Sequence, residues 1–183
     1  MGNDWTHFDL KGNARMVDVS EKSSTRRQAV AIGKIQVNDA VMQAVTGHTA
    51  AKGDVLGVAR VAGIMAVKRT ADLIPMCHTI PIEKCELTFF VSPEALEIHA
   101  ECLVLTEGKT GVEMEALTGV NVALLTIYDM CKAMDRGMVI SEICLKEKTG
   151  GKSGTYTRQQ APQMWNESPK KQGTQDLSGL DFL

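Results

Sequence analysis

Rings are scarce in this chain. Two tryptophans, two tyrosines and four phenylalanines make up 4% of 183 residues, so a core must be filled by Val, Ala, Leu, Ile and the ten methionines. Long apolar runs are missing as well: the stretch 120–125 is broken by Asn121, far short of the roughly 18 residues a membrane span requires. The opening MGNDWTHFDLKGNAR lacks the apolar stretch and cleavage pattern of a secretory signal, and a cytoplasmic protein without membrane contact is expected. Charge of one sign is absent too. Twenty basic against 22 acidic residues leave a formal net charge of −2, which supplies no general attraction for nucleic acid, so any anion site must be local. The five cysteines (77, 85, 102, 131, 144) are odd in number and include no C-x-x-C pair. Neither a disulfide framework nor a zinc knuckle is supported, and free, mostly buried thiols are expected.

The length suits one domain plus a tail. Residues 1–24 are polar and without a period, an arm in which MVDVS (16–20) could add one short strand. A domain over 25–155 follows. Beyond it the tail 156–183, rich in Gly, Ser, Gln, Lys and Pro, is expected to be largely disordered. Within the domain, Ala29, Ala31, Gly33, Ile35 and Val37 alternate as on a strand with one buried face. Asn38 is placed to cap a helix over 39–45, and Val55, Val58, Ala59, Ala62, Met65 and Ala66 recur at helical spacing until Pro75. Strands are predicted over 83–91, 96–105 and 138–147. Thr110-Gly-Val-Glu113 reads as a capping box opening a helix to 133, roughly 36 Å long at 1.5 Å per residue. That helix is apolar around most of its circumference, which predicts cover on more than one side, from a second subunit. The order predicts an α+β, ferredoxin-like (split βαβ) antiparallel sheet packed on helices, with an extra helix after the first strand.

Several residues in this frame could carry chemistry. Pro75 and Pro81 stiffen the loop that holds Met76, Cys77 and His78, although extended neighbours point apart, which argues against a Cys77–His78 nucleophile pair. Lys52 stands just ahead of a helix start, where amides and helix dipole favour an anion. On the long helix, Glu115, Asp129 and Lys132 share a broad face, and the oily surroundings of the last two suggest a partly buried proton-transfer pair. Fourteen residues separate Glu115 from Asp129 by roughly 21 Å, so one small ligand reaches both only if two subunits build the site. The turn Thr149-Gly-Gly-Lys-Ser-Gly154 fails the Walker pattern, because Lys146 stands where a glycine is required, yet its amides could cradle phosphate.

The blocks MVDVS (16–20), KGDVLGVARVAGIMAVKRTADLIPMCH (52–78), GKTGVEMEALTGVNVALLTIYDMCKA (108–133) and GGKSG (150–154) closely resemble the molybdenum-cofactor biosynthesis protein C family, MoaC, over residues 14–154. The resemblance implies a lyase that converts 3′,8-cyclo-7,8-dihydro-GTP to cyclic pyranopterin monophosphate and releases pyrophosphate. It also implies a hexamer made of dimers, with the site at a dimer interface. Carried over by position, it puts the catalytic aspartate on Asp129, essential lysines on Lys52 and Lys132, and substrate contacts on Met76, Cys77, His78, Met114 and Glu115. Asp18, Arg27, Glu113, Lys148 and Lys152 match further site positions. The family reaction has no net redox change and requires no cofactor; magnesium could accompany the triphosphate, though no dedicated metal cage is visible. A ferredoxin-like RNA-binding module is the competing class. It would need exposed aromatics on one sheet face, whereas Phe89 and Phe90 are adjacent and face opposite sides. A non-catalytic ligand sensor would have no use for the Asp129–Lys132 pair.

Overall fold

The computed structural model describes residues 11–50 and 53–159. Alternation makes the central strand. In β1 (Thr25–Gln36) the side chains of Ala29, Ala31 and Ile35 are fully buried on one face. They meet Ile98, Ala100, Cys102 and Val104 of β3 (Glu97–Gly108), antiparallel to β1 with Ala31 opposite Cys102. Three further strands, β2 (Lys84–Ser92), β4 (Val139–Thr149) and β5 (Tyr156–Thr157), complete an antiparallel sheet of order β2-β3-β1-β4-β5. The first four strands with the helices between them give the expected ferredoxin-like α+β arrangement. β5 is an addition: Tyr156 and Thr157 pair with Lys148 and Glu147, so the sheet runs past the boundary expected at 155. The remaining tail, 160–183, lies outside the described residues.

Helices cover one face. α1 (Asp39–Thr46) begins as its sequence dictates, with the Asn38 side chain accepting from the Val41 amide at 2.9 Å. α2 (Val55–Lys68) is capped in the same way by Asp54, which accepts from the Gly57 amide at 2.9 Å. It stops seven residues before Pro75. The buried Thr70 hydroxyl bonds the carbonyls of Val67 and Ala66, and the chain restarts as the single turn α3 (Thr70–Leu73).

α4 (Glu113–Cys131) lies across the sheet, burying Ala116, Val120, Ala123, Leu124, Ile127 and Cys131 at spacings of three and four. Complete burial of Leu124 and Ile127 contributes about 1.5–3 kcal/mol each. Two expectations for this helix are corrected. It has 19 residues rather than about 24, and no Thr110 capping box forms: Val112 is the cap residue and makes no side-chain cap bond. Glu113 is drawn instead to Lys148 of β4, 3.3 Å away.

Glycines let the helix layer close. A methyl group on Gly63 of α2 would strike Leu87 Cδ1 and come within 2.9 Å of the Gly119 carbonyl oxygen of α4. Gly63→Ala is therefore expected to cost about 1–3 kcal/mol, seen as a lower urea midpoint. An unchanged midpoint would mean that this contact gives way freely.

The arm also departs from expectation. Residues 16–20 form no strand, because Asp18 Oδ1 accepts the Ser20 amide at 2.8 Å and the Lys22 amide bonds the Val19 carbonyl, turning the chain twice. The segment runs as a strap along the mouth of a cleft.

Candidate active site

The cleft, about 970 Å³, opens where the N-terminal end of α4 meets the loop after α3. The proline-bounded loop contributes Met76, Cys77 and His78, and the first turn of α4 contributes Met114 and Glu115. Arg27 comes from the start of β1 and Lys152 from the glycine turn after β4. Seven of the expected site residues, dispersed over 126 positions of sequence (27 to 152), therefore line one concavity.

Its floor holds an exceptional carboxyl group. Glu115 is only 3% exposed, and its Oε2 has no hydrogen-bond partner. Burial pushes this carboxyl above its ordinary range, and the nearby Glu113 charge pushes the same way. An unmet polar atom costs about 1–3 kcal/mol when no ligand supplies a donor. Cys77 stands close by; burial, then the Glu115 charge, raises its thiol, so it remains protonated and is not a nucleophile. His78 is held by the backbone of the strap. Its Nε2 lies 2.9 Å from the Val17 carbonyl oxygen, which can only accept, so Nε2 bears a proton and donates it there.

The opposite wall is cationic. Arg27 donates from Nε to the Gly108 carbonyl at 2.9 Å and from Nη2 to the Lys109 carbonyl at 3.1 Å. These acceptors are neutral, so the guanidinium keeps its charge for an anion. The glycine turn explains itself here. Gly150 and Gly151 have φ of 93° and 71°, and a Cβ on Gly151 would strike the Arg27 guanidinium. Lys148 holds Glu113 at 3.3 Å and Ser153 through its hydroxyl, tying this turn to the start of α4. Asp18 sits between the lining residues Val17 and Val19, its carboxyl held below the usual range first by the Ser20 backbone amide.

Two expected residues are not brought in. Asp129 and Lys132 pair with each other at 2.5 Å near the far end of α4, with 62% and 55% of their side chains exposed. The partial burial expected for them is corrected: Leu124, Ile127 and Cys131 turn toward the sheet, which leaves Leu125, Asp129 and Lys132 on the outward side. Lys52 lies outside the described residues.

Sequence reasoning missed the strap and Lys109. Glu21, Lys22 and Lys109 all line the cleft, and with Arg27 and Lys152 they give four cations against the two acids Glu21 and Glu115. The flanking Gly108 and Gly111 were the available signal for Lys109, since they mark a turn that delivers its side chain to a site.

An unmet acid, a fixed histidine and a cationic wall thus share one cleft. Residues 16–151 match the model of the MoaC family. The chain belongs to this family. It is 58% identical over 155 residues to the cyclic pyranopterin monophosphate synthase of Heliobacterium modesticaldum, covering 85% of this chain and 98% of that one. A synthase of the same name from Clostridium botulinum is 56% identical over 156 residues, covering 85% and 98%. One from Thermomicrobium roseum is 55% identical over 154 residues, covering 84% and 93%. The MoaC match begins at the strap and ends within the glycine turn, one residue short of Lys152.

Proposed function

We propose that this chain is a cyclic pyranopterin monophosphate synthase, a lyase that converts 3′,8-cyclo-7,8-dihydro-GTP to cyclic pyranopterin monophosphate and pyrophosphate in molybdenum cofactor biosynthesis. The observation that carries this reading is Glu115, a buried carboxyl with an unmet oxygen at the floor of a cleft whose rim bears Arg27, Lys109 and Lys152. A guanine-derived base presents adjacent N–H donors that such an oxygen can accept, while a triphosphate suits the cations. His78 and Glu113 assist in orienting base and sugar. Arg27, Lys152 and, by family position, Lys52 neutralise the triphosphate and favour departure of pyrophosphate.

Asp129 and Lys132 move protons during opening of the imidazole ring and closure of the pyrazine ring. They cannot do so for the cleft of their own chain: fourteen residues of helix, roughly 21 Å, stand between Asp129 and Glu115. We therefore place the Asp129 end of a second copy at each cleft, within a homo-oligomer that the family resemblance implies to be a hexamer built as a trimer of dimers. The outer helix surface suits such pairing. Val58, Val61 and Met65 of α2 are 47%, 59% and 48% exposed, and Leu125 of α4 is 56% exposed. Because substrate and product are at the same oxidation level, the reaction uses no redox cofactor, and any magnesium would arrive with the triphosphate. Among the described residues no helix is long and apolar enough to cross a membrane; a cytoplasmic enzyme is the accompanying proposal.

The decisive assay incubates the purified protein with the cyclic GTP intermediate and follows pyrophosphate and the pterin together. Equimolar release of both is expected. Absence of both under conditions in which a curated relative turns over would refute the assignment.

A further inference from the structure

The strap is held to the body by two side-chain bonds, and both donors belong to the cleft. His78 bonds the Val17 carbonyl, and Lys109 Nζ donates to the Ser20 carbonyl at 2.7 Å. The Lys109 backbone is itself fixed, since its carbonyl accepts from Arg27 Nη2 at 3.1 Å and that of Gly108 from Arg27 Nε. The Lys109 side chain thus starts from the same wall as the guanidinium and reaches across to the strap. Asp18, on which Lys109 exerts a minor pull, accepts the Ser20 amide and is not the group that Lys109 Nζ bonds, which is the Ser20 carbonyl. An ammonium has three N–H donors. One is spent on Ser20, and two are left for an anion lying between Arg27 and the glycine turn with Lys152.

We infer that Lys109 is a further substrate-binding residue, one that joins the substrate's triphosphate to the Ser20 carbonyl and so clamps the strap over the occupied cleft. The inference rests on the triphosphate reading of the cationic wall. Two consequences separate it from a merely structural lysine. Loss of Lys109 weakens ground-state binding without touching the groups that transfer protons, so KM rises while kcat holds. In addition, a polyphosphate alone stabilises the strap, because the bridge needs no base or sugar.

The test uses the full-length chain and two variants, Lys109→Gln and Lys109→Arg, each first checked by thermal unfolding. With the cyclic GTP intermediate, Lys109→Gln is expected to raise KM about tenfold with kcat within about twofold, and Lys109→Arg to recover most of the loss. In parallel, trypsin cleavage after Arg15 and Lys22 is followed with and without inorganic tripolyphosphate. The parent chain is expected to be protected several-fold by tripolyphosphate, Lys109→Arg partly, and Lys109→Gln not at all. An unchanged KM in Lys109→Gln overturns the binding role, and equal protection of the parent chain and Lys109→Gln overturns the clamp. A parent chain inactive on the cyclic intermediate would count against the proposed reaction instead, while the tripolyphosphate arm would still decide the role of Lys109.

Discussion

Glu115→Gln is expected to unfold at a higher temperature than the parent chain at pH 8 and to bind substrate far more weakly. The two effects share one cause. In the free protein the carboxyl is 3% exposed, with Oε2 unmet, and its pKa is raised by burial and by Glu113. The sign follows from linkage. A group whose folded pKa lies above its ordinary 4.5 contributes stability that is whole below that value and is lost as pH rises through the folded value. The buried carboxyl therefore becomes a growing strain on the parent chain as pH rises from 4 through its folded value. Replacing the acid by an amide of the same shape removes the charge, a gain of about 1–3 kcal/mol that grows from pH 4 to pH 8. Function moves the opposite way. The carboxylate accepts from the base, whereas half of the amide is a donor facing donors, and kcat/KM should fall by about a hundredfold or more. Scanning fluorimetry of parent and variant across this pH range gives the first half, and pyrophosphate release gives the second. A variant that melts below its parent at pH 8 would show that Glu115 is satisfied in the free protein after all.

Such a trade explains why the cleft keeps an unmet acid, and it bears on what the sequence could tell. Periodicity located β1 and β3, because alternation is a local consequence of one face meeting apolar neighbours. Asn38 was legible as a cap for the same reason, the amide it accepts from lying three residues ahead. Where partners are distant in sequence, the local pattern misled. Thr110 and Glu113 have capping-box spacing, but Glu113 answers to Lys148 across the fold. MVDVS alternates like a strand, yet its Asp18 takes the Ser20 amide and bends the chain. The second helix ends at Lys68, seven residues before the proline expected to stop it. At the site, the loop holding His78, the start of α4 and the glycine turn were marked by motif, while Lys109 and the strap were not. Their role arises only from folding residues 17–23 against residues 78 and 109. The burial wrongly expected for Asp129 and Lys132 has the same origin. An oily stretch of sequence does not say which side of a helix meets the core and which is left for another copy.

If another copy does cover that side, two inactive variants should restore each other. Glu115→Ala removes the acid at the cleft floor and Asp129→Ala removes the proposed proton carrier, and each alone is expected to lower turnover at least about a thousandfold. In a mixed dimer one cleft then combines both substitutions, while the other joins an intact Glu115 to an intact Asp129. Random pairing makes half of all dimers mixed, so about a quarter of all clefts regain both groups. Co-refolding the two variants in equal amounts should return about that fraction of parental pyrophosphate release, against almost none from either variant refolded alone. The geometry leaves little room for another outcome under the shared-site reading, because α4 holds the two carboxylates of one chain roughly 21 Å apart. Were both to serve a cleft within one chain, every protomer in the mixture would still lack one of them. Mixing would recover nothing, and the two-copy site would have to be abandoned.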